Sequence, residues 1–157
     1  KIVLQKKSNK TVLPLNRFFI SYRKTRLKKG QFIYSIIIPI FKKNIFKAYK
    51  ISKRFDDDIS TVCASFNLEI VNNKIKNVKI AYGGMAPIPK RAINCEKTLV
   101  NASLSEESFN KAMKKLERDF APIDDMRASK SYRMEIAKNL LIKCFLEIKN
   151  RKLIRLS

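Results

Sequence analysis

The alternation of apolar and polar positions divides the chain into a run of strands followed by a run of helices. "KIVLQ" and "TVLPL" read as short strands around the polar turn "KKSNK". Asn16 is placed to cap one helical turn carrying Phe18 and Phe19, and Gly30 ends that segment. Residues 31–38 form a strand of β-branched and aromatic side chains, with Phe32, Tyr34, Ile36 and Ile38 on one face and Ile33, Ser35 and Ile37 on the other. Apolar residues on both faces predict cover on both sides. Pro39 ends the strand or places it at an edge. Residues 45–54 predict a further strand. One face holds Ile45, Lys47, Tyr49, Ile51 and Lys53; the other holds Phe46, Ala48, Lys50, Ser52 and Arg54. The second of these, with Lys50 in line with Phe46 and Ala48, is the face expected to point inward.

Residues 60–70 alternate strictly, with Val62, Ala64, Phe66, Leu68 and Ile70 to one side. "NNK" at 72–74 predicts a hairpin turn, and 75–82 the returning strand. Helical spacing follows. "PKRAINCEKTLVN" at 89–101 suits a helix after its proline. Ser103 or Ser105 can cap the next one, Ser103 with Glu106 having the capping-box spacing. Phe109, Met113, Leu116 and Phe120 recur as one helical stripe, which Pro122 stops. A last helix spans about 129–149, with Tyr132, Ile136, Leu140, Cys144, Phe145 and Ile148 as its buried face. Strands first and helices after them predict an α+β fold: an antiparallel sheet of three to four strands covered on one side by three helices.

Composition narrows the chemistry. The chain has 157 residues, enough for one core or for one small domain and part of another. It carries 35 Lys and Arg against 13 Asp and Glu, a net charge of +22. There is no His, which excludes Ser-His-Asp and Cys-His catalysis and any His-bearing zinc site. Cys63, Cys95 and Cys144 have no metal or redox spacing and read as core thiols of a cytoplasmic protein. Three glycines cannot build a Gly-rich phosphate loop. The apolar run "FIYSIIIPIF" at 32–41 is about half of what crosses a bilayer, so no membrane association is expected. The charge admits a basic nucleic-acid-binding module, but the cations are spread along the chain rather than clustered in a tail, which makes nucleic acid the less favoured partner. The chain does not begin with Met and shows no signal peptide, and is expected to be a segment of something longer.

Four blocks in order carry a resemblance: "YRKT", "RFDDDIS", "GGMA" followed by "PKRA", and "DMRAS" followed by "YR". Together they resemble the flavin-bearing part of the molybdenum hydroxylases, over about residues 1–149, with the xanthine dehydrogenase branch nearer than the carbon monoxide dehydrogenase or aldehyde oxidase branches. The resemblance implies that 1–41 is the C-terminal tail of an FAD-binding domain, its last strands preceding the α+β domain of 42–157. It implies FAD shared with an upstream domain, NAD⁺ as acceptor, and [2Fe–2S] clusters and molybdopterin in partner regions. Those partners are the upstream FAD-binding and iron–sulfur domains and a molybdopterin-binding large subunit. By the same resemblance Ile33 and Lys50 contact FAD, while Arg54 and Asp57 lie near the flavin, tuning its potential or the access of NAD⁺. A cation such as Lys50 favours an anionic reduced flavin and a carboxylate such as Asp57 opposes it. "RFDDDIS" also has a plain structural reading, in which the aspartates cap a turn and neutralise Lys53 and Arg54. "YGGMA" reads as a tight turn with Met85 under the first helix, and in "DDMRAS" Asp125 or Ser129 can cap the last helix while Arg127 pairs with a carboxylate.

Overall fold

A computed structural model describes residues 1–40, 43–54 and 58–150. The chain forms two compact units, Lys1–Lys42 and Lys43–Ser157.

The first unit is built on a hairpin. β1 (Ile2–Lys6) and β2 (Asn9–Leu13) pair antiparallel around Lys7 and Ser8, with Lys7 at a φ of 53° closing the turn. A 3-10 turn (Leu15–Arg17) leads to two short paired strands, β3 (Phe19–Ser21) and β4 (Lys24–Thr25). Pro14, with no side-chain oxygen, precedes the 3-10 turn, so Asn16 lies inside it and caps nothing. β5 (Phe32–Ile36) then returns beside β1, giving the order β2-β1-β5. Ile2, Leu4 and Phe18 form a small core, edged by Leu13 and Phe19. The two-sided cover expected for 31–38 is not found. Phe32, Ile33, Tyr34, Ile36, Ile37 and Ile38 are all exposed, because β5 has one strand neighbour and the small core is filled from β1 and the 3-10 turn.

The second unit is a sheet with helices on one side. β6 (Asn44–Ile51), β7 (Val62–Val71), β8 (Lys74–Gly83) and the short β9 (Lys90–Arg91) pair antiparallel in that order. Asn72 and Asn73, at φ 49° and 58°, make the β7–β8 turn, as "NNK" predicts. The strict alternation of β7 is realised: Val62, Ala64, Phe66 and Leu68 are buried with Ile75, Val78, Ile80 and Tyr82 of β8.

Against that face lie α1 (Ile93–Leu99), α2 (Glu106–Met113), α3 (Leu116–Asp119) and α4 (Lys130–Asn150). The single stripe from Phe109 to Phe120 is shared by two helices. The chain breaks at Lys114 and Lys115, yet Phe109, Leu116 and Phe120 still reach one core. Ser105, not Ser103, caps α2, its Oγ accepting from Ser108 N at 3.3 Å, so the Ser103–Glu106 box does not form. Ser129 Oγ accepts from Tyr132 N at 3.2 Å at the start of α4. Of the expected buried face of α4, Leu140, Cys144 and Phe145 lie in the core, Ile136 and Ile148 pack against it, and the departures are at the start of the helix and in the polar members. Tyr132 is exposed, and Arg133, Ala137, Leu140, Leu141, Cys144, Phe145 and Glu147 point inward. Each large side chain buried here is worth about 1.5–3 kcal/mol.

Candidate functional site

Burial along β6 settles which face of that strand is which. Tyr49 and Ile51 pack on the core, while Phe46, Ala48 and Lys50 are exposed. The expectation that Lys50 points inward is therefore corrected, and it is Lys47 that turns toward the helices. Lys47 Nζ lies 3.0 Å from Glu147 Oε2, and Tyr49 Oη donates to the same oxygen at 2.9 Å. A lysine can occupy an inward position when its stem lies along apolar neighbours and its ammonium meets a buried carboxylate. Burial, the neighbouring Cys144 and the bond to Glu147 together raise the Tyr49 hydroxyl far above its usual range.

Lys50 belongs to the open face of the sheet. Register places it opposite Cys63, which lies opposite Gly83; the next row is Ala48, Ser65 and Ala81. This end of the face is thus a floor of small side chains with one ammonium at its edge. Cys63 is exposed, which corrects its reading as a core thiol; Cys95 and Cys144 are buried as expected.

Arg133 fixes the same end of the sheet from the covered side. Its Nη1 donates to Thr61 O at 2.5 Å and to Gly84 O at 2.9 Å, and its Nη2 to Asp125 Oδ1 at 2.6 Å. Gly84 has a φ of 82°, and a Cβ there would run into the Thr61 carbonyl oxygen. The glycine is required both by conformation and by close approach. Met85 is fully buried. Asp125 also accepts from Arg127 N at 2.8 Å and Ala128 N at 3.2 Å; those bonds and the one from Arg133 hold its carboxyl below the usual range. Arg127 Nη1 lies 3.9 Å from Asp125 Oδ2.

After β6, Lys53 Nζ donates to Met126 O at 2.8 Å. Asp58 accepts from Arg54 N at 3.1 Å and from Ile59 N at 2.8 Å, with Arg54 Nη2 at 3.5 Å. Desolvation works against ionisation of Asp58, but the bonds from Arg54 and Ile59 prevail and its pKa is lowered. Asp58, the described member of the acidic run, is thus held by Arg54. Asp57 lies outside the described residues. Ile33 lies in β5 of the first unit, opposite Leu4 of β1, and is half exposed.

Sequence reasoning missed Arg133. The usable signal was an arginine at 133 in helical spacing with Ala137, Leu140, Leu141 and Cys144, and an aspartate eight residues upstream.

A four-stranded antiparallel sheet with one face under helices, and a cation beside small residues on the other, defines an α+β domain that can present a flat polar surface to a ligand or partner. The model for the CO dehydrogenase flavoprotein C-terminal domain matches residues 47–148, and the chain belongs to this family of molybdenum hydroxylase flavoproteins. A xanthine dehydrogenase of Emericella nidulans is 34% identical over 123 residues, 76% of this chain and 9% of that protein. The glyceraldehyde dehydrogenase medium chain of Sulfolobus acidocaldarius is 28% identical over 149 residues, 94% of this chain and 52% of that one. The xanthine dehydrogenase FAD-binding subunit of Escherichia coli O157:H7 is 26% identical over 137 residues, 86% of this chain and 47% of that one. The chain thus spans about half the length of the two subunits. Carbon monoxide dehydrogenase from Hydrogenophaga pseudoflava superposes with a TM-score of 0.82 at 20% identity, over 89% of this chain and 49% of that one, a likeness of fold.

The family implies a flavin, and the described residues fit one end of it. The Ala48–Ser65–Ala81 and Lys50–Cys63–Gly83 rows carry small side chains against which a planar ring could lie, and Lys50 would place positive charge beside a ring bound there. The three glycines of the sequence are too few for a Gly-rich loop around a pyrophosphate. No helix of the described residues is long and apolar enough to cross a membrane.

Proposed function

We propose that this chain is the C-terminal segment of the FAD-containing subunit of a xanthine-dehydrogenase-type molybdenum hydroxylase. In that reading electrons from purine oxidation pass from a molybdopterin subunit through [2Fe–2S] clusters to FAD and on to NAD⁺. Residues 1–41 are then the tail of the FAD-binding domain, and 42–157 the domain that lies against the flavin. The observation that carries the reading is the family match over 47–148, which includes Lys50. The exposed apolar side chains of β5 agree with it, since a strand with Phe32, Ile33, Tyr34 and Ile36 in water is a surface for the remainder of a domain.

FAD, when bound, supplies the exchange between one-electron donors and a two-electron acceptor. The chain's own part is electrostatic and steric. Lys50 holds a positive charge where negative charge develops on reduction, Ile33 offers an apolar contact, and Arg54 is balanced by Asp58 so that its charge acts weakly. Asp57 is assigned the opposing role to Lys50.

Lys50→Ala in the intact flavoprotein tests the assignment. Loss of one nearby cation is expected to lower the flavin midpoint potential by on the order of 100 mV or to reduce flavin occupancy. Potential and occupancy both equal to wild type would remove Lys50 from the site. A second reading, an aldehyde-oxidising enzyme, is favoured by the glyceraldehyde dehydrogenase medium chain, whose match extends over 94% of this chain. Anaerobic reduction of the complex by xanthine but not by glyceraldehyde, followed by reoxidation with NAD⁺, is expected from the first reading and not from the second.

A further inference from the structure

The charge of the first unit is one-sided. From Lys1 to Lys42 there are eleven Lys and Arg and no Asp or Glu, while residues 43–157 hold the other 24 cations and all 13 acids. Two phosphates of a dinucleotide call for a small part of such a field. Within this unit a cleft of about 480 Å³ opens between the β1–β2 hairpin and the segment that contains β3 and β4. Leu4, Leu13, Ile20 and Leu27 give it an aliphatic lining, and Arg26 and Lys28 stand at its edge. Arg26 Nε donates to Arg17 O at 2.7 Å, which fixes the guanidinium there. Arg17, Lys24 and Lys29 extend the exposed positive surface beyond the cleft.

We propose that this cleft docks an acidic polypeptide segment carrying an apolar side chain between its carboxylates. The lining takes the apolar group; Arg26, Lys28 and the cations around them take the carboxylates. A second copy of this unit is disfavoured, because it would bring eleven cations against eleven with no carboxylate to separate them. A single-stranded nucleic acid is disfavoured by the lining, which contains no aromatic ring on which a base could stack. A small anion would leave the cations outside the cleft without a role. In the flavin reading this unit is the tail of the FAD-binding domain, but none of the cleft residues is assigned a contact with FAD.

The test measures binding to the intact protein, near physiological ionic strength, of three fluorescent probes: an octapeptide of glutamates with two central leucines, an all-glutamate octapeptide, and a dT10 oligonucleotide. The leucine-containing peptide is expected to bind about tenfold tighter than either other probe. Lys28→Glu/Lys29→Glu should weaken it about tenfold, and a control with the same charge change in the second unit, Lys76→Glu/Lys97→Glu, by less than about twofold. Ile20→Ser should abolish the preference for leucine. The substituted side chains, Ile20, Lys28, Lys29, Lys76 and Lys97, are all exposed, so circular dichroism is expected to report unchanged folding of the variants. Equal binding of the two peptides, tighter binding of dT10, equal weakening by both double variants, or no binding of the leucine peptide would each overturn the proposal. Flavin occupancy, measured on the same samples, is expected to stay at the wild-type level; its loss in Lys28→Glu/Lys29→Glu alone would assign those lysines to the flavin and overturn the docking role.

Discussion

Arg133 shows how much one side chain can fix. Its guanidinium spans the Thr61 carbonyl, the Gly84 carbonyl and the Asp125 carboxylate, so three loop segments depend on one planar fork. A lysine in its place offers a point charge and cannot meet that set of acceptors together. Arg133→Met is expected to destabilise the protein by about 3 kcal/mol, because two carbonyls lose this donor and the Asp125 carboxylate loses its nearest charged partner while keeping two backbone donors. Arg133→Lys should recover less than half of this, with urea denaturation as the measurement. An effect within about 0.5 kcal/mol of wild type would make the fork incidental. The thiols separate as cleanly. Cys63 is exposed, while Cys95 and Cys144 are buried. One equivalent of thiol is expected to react promptly with a disulfide reagent in the native protein, and all three in denaturant. Burial, offset in part by Lys47 and reinforced by Glu147, pushes the Cys144 thiol up to about 12. Its folded pKa exceeds the unfolded value of about 8.5. The stabilisation from keeping it neutral is thus complete below about pH 8.5 and is lost as pH rises toward 12. Cys144→Ala should reduce the fall in unfolding free energy between about pH 8 and pH 10; an unchanged slope would place the alkaline loss on other groups.

At the scale of elements, legibility followed how far apart the deciding residues lie. β7 could be read correctly because five inward positions alternate with polar ones, and "NNK" supplied its turn locally. β6 could not, because both of its faces mix lysine with apolar residues. What decides its orientation is Glu147, nearly a hundred residues away on α4. On α4 the apolar face reads correctly from Ile136 to Ile148, but its first turn does not, for the same reason: Arg133 reads as solvent-facing until Thr61, Gly84 and Asp125 are seen to converge on it. β5 reads as a covered strand because its composition is that of one, but no element of its own unit supplies the cover. α1 is the clearest case of non-local capping. Ala92 at its N-cap has no side chain to offer, and Asp119, from the last turn of α3, accepts from Asn94 N and Cys95 N, each at 2.9 Å. Asp119→Ala is expected to cost about 2 kcal/mol, the upper end for a lost cap, because the carboxylate is also buried. Asp119→Asn should cost less, since an amide oxygen still accepts one of the two bonds. Hydrogen exchange at the Asn94 and Cys95 amides should accelerate in the alanine variant before exchange in β7 changes; simultaneous acceleration would mean that Asp119 supports the whole core rather than the helix end.

For the molecule as a whole, the resemblance named a flavin partner, but the chemistry the described residues can supply is one-sided. In the proposed reading small side chains and Lys50 would meet only the ring end of the cofactor, three glycines in the whole sequence cannot make a phosphate loop, and the chain spans about half of the subunits it matches. A ligand held at one end binds with only that end's share of the interaction, and an exposed ammonium on an open sheet face gives little affinity in water. Residues 1–157 by themselves are therefore expected to bind FAD no tighter than about 100 μM near physiological salt. They should also bind riboflavin within about threefold of FAD, because the pyrophosphate and adenosine gain no built contact. The net charge of +22 works against a careless version of this measurement, since at low salt it attracts any phosphate and would make FAD look preferred. Fluorescence titration at two ionic strengths separates the cases. A preference for FAD that vanishes with added salt is the field of the protein, whereas a preference of tenfold or more that persists would mean that these residues contain a phosphate grip, and the division of labour between this chain and the remainder of a flavoprotein would have to be redrawn.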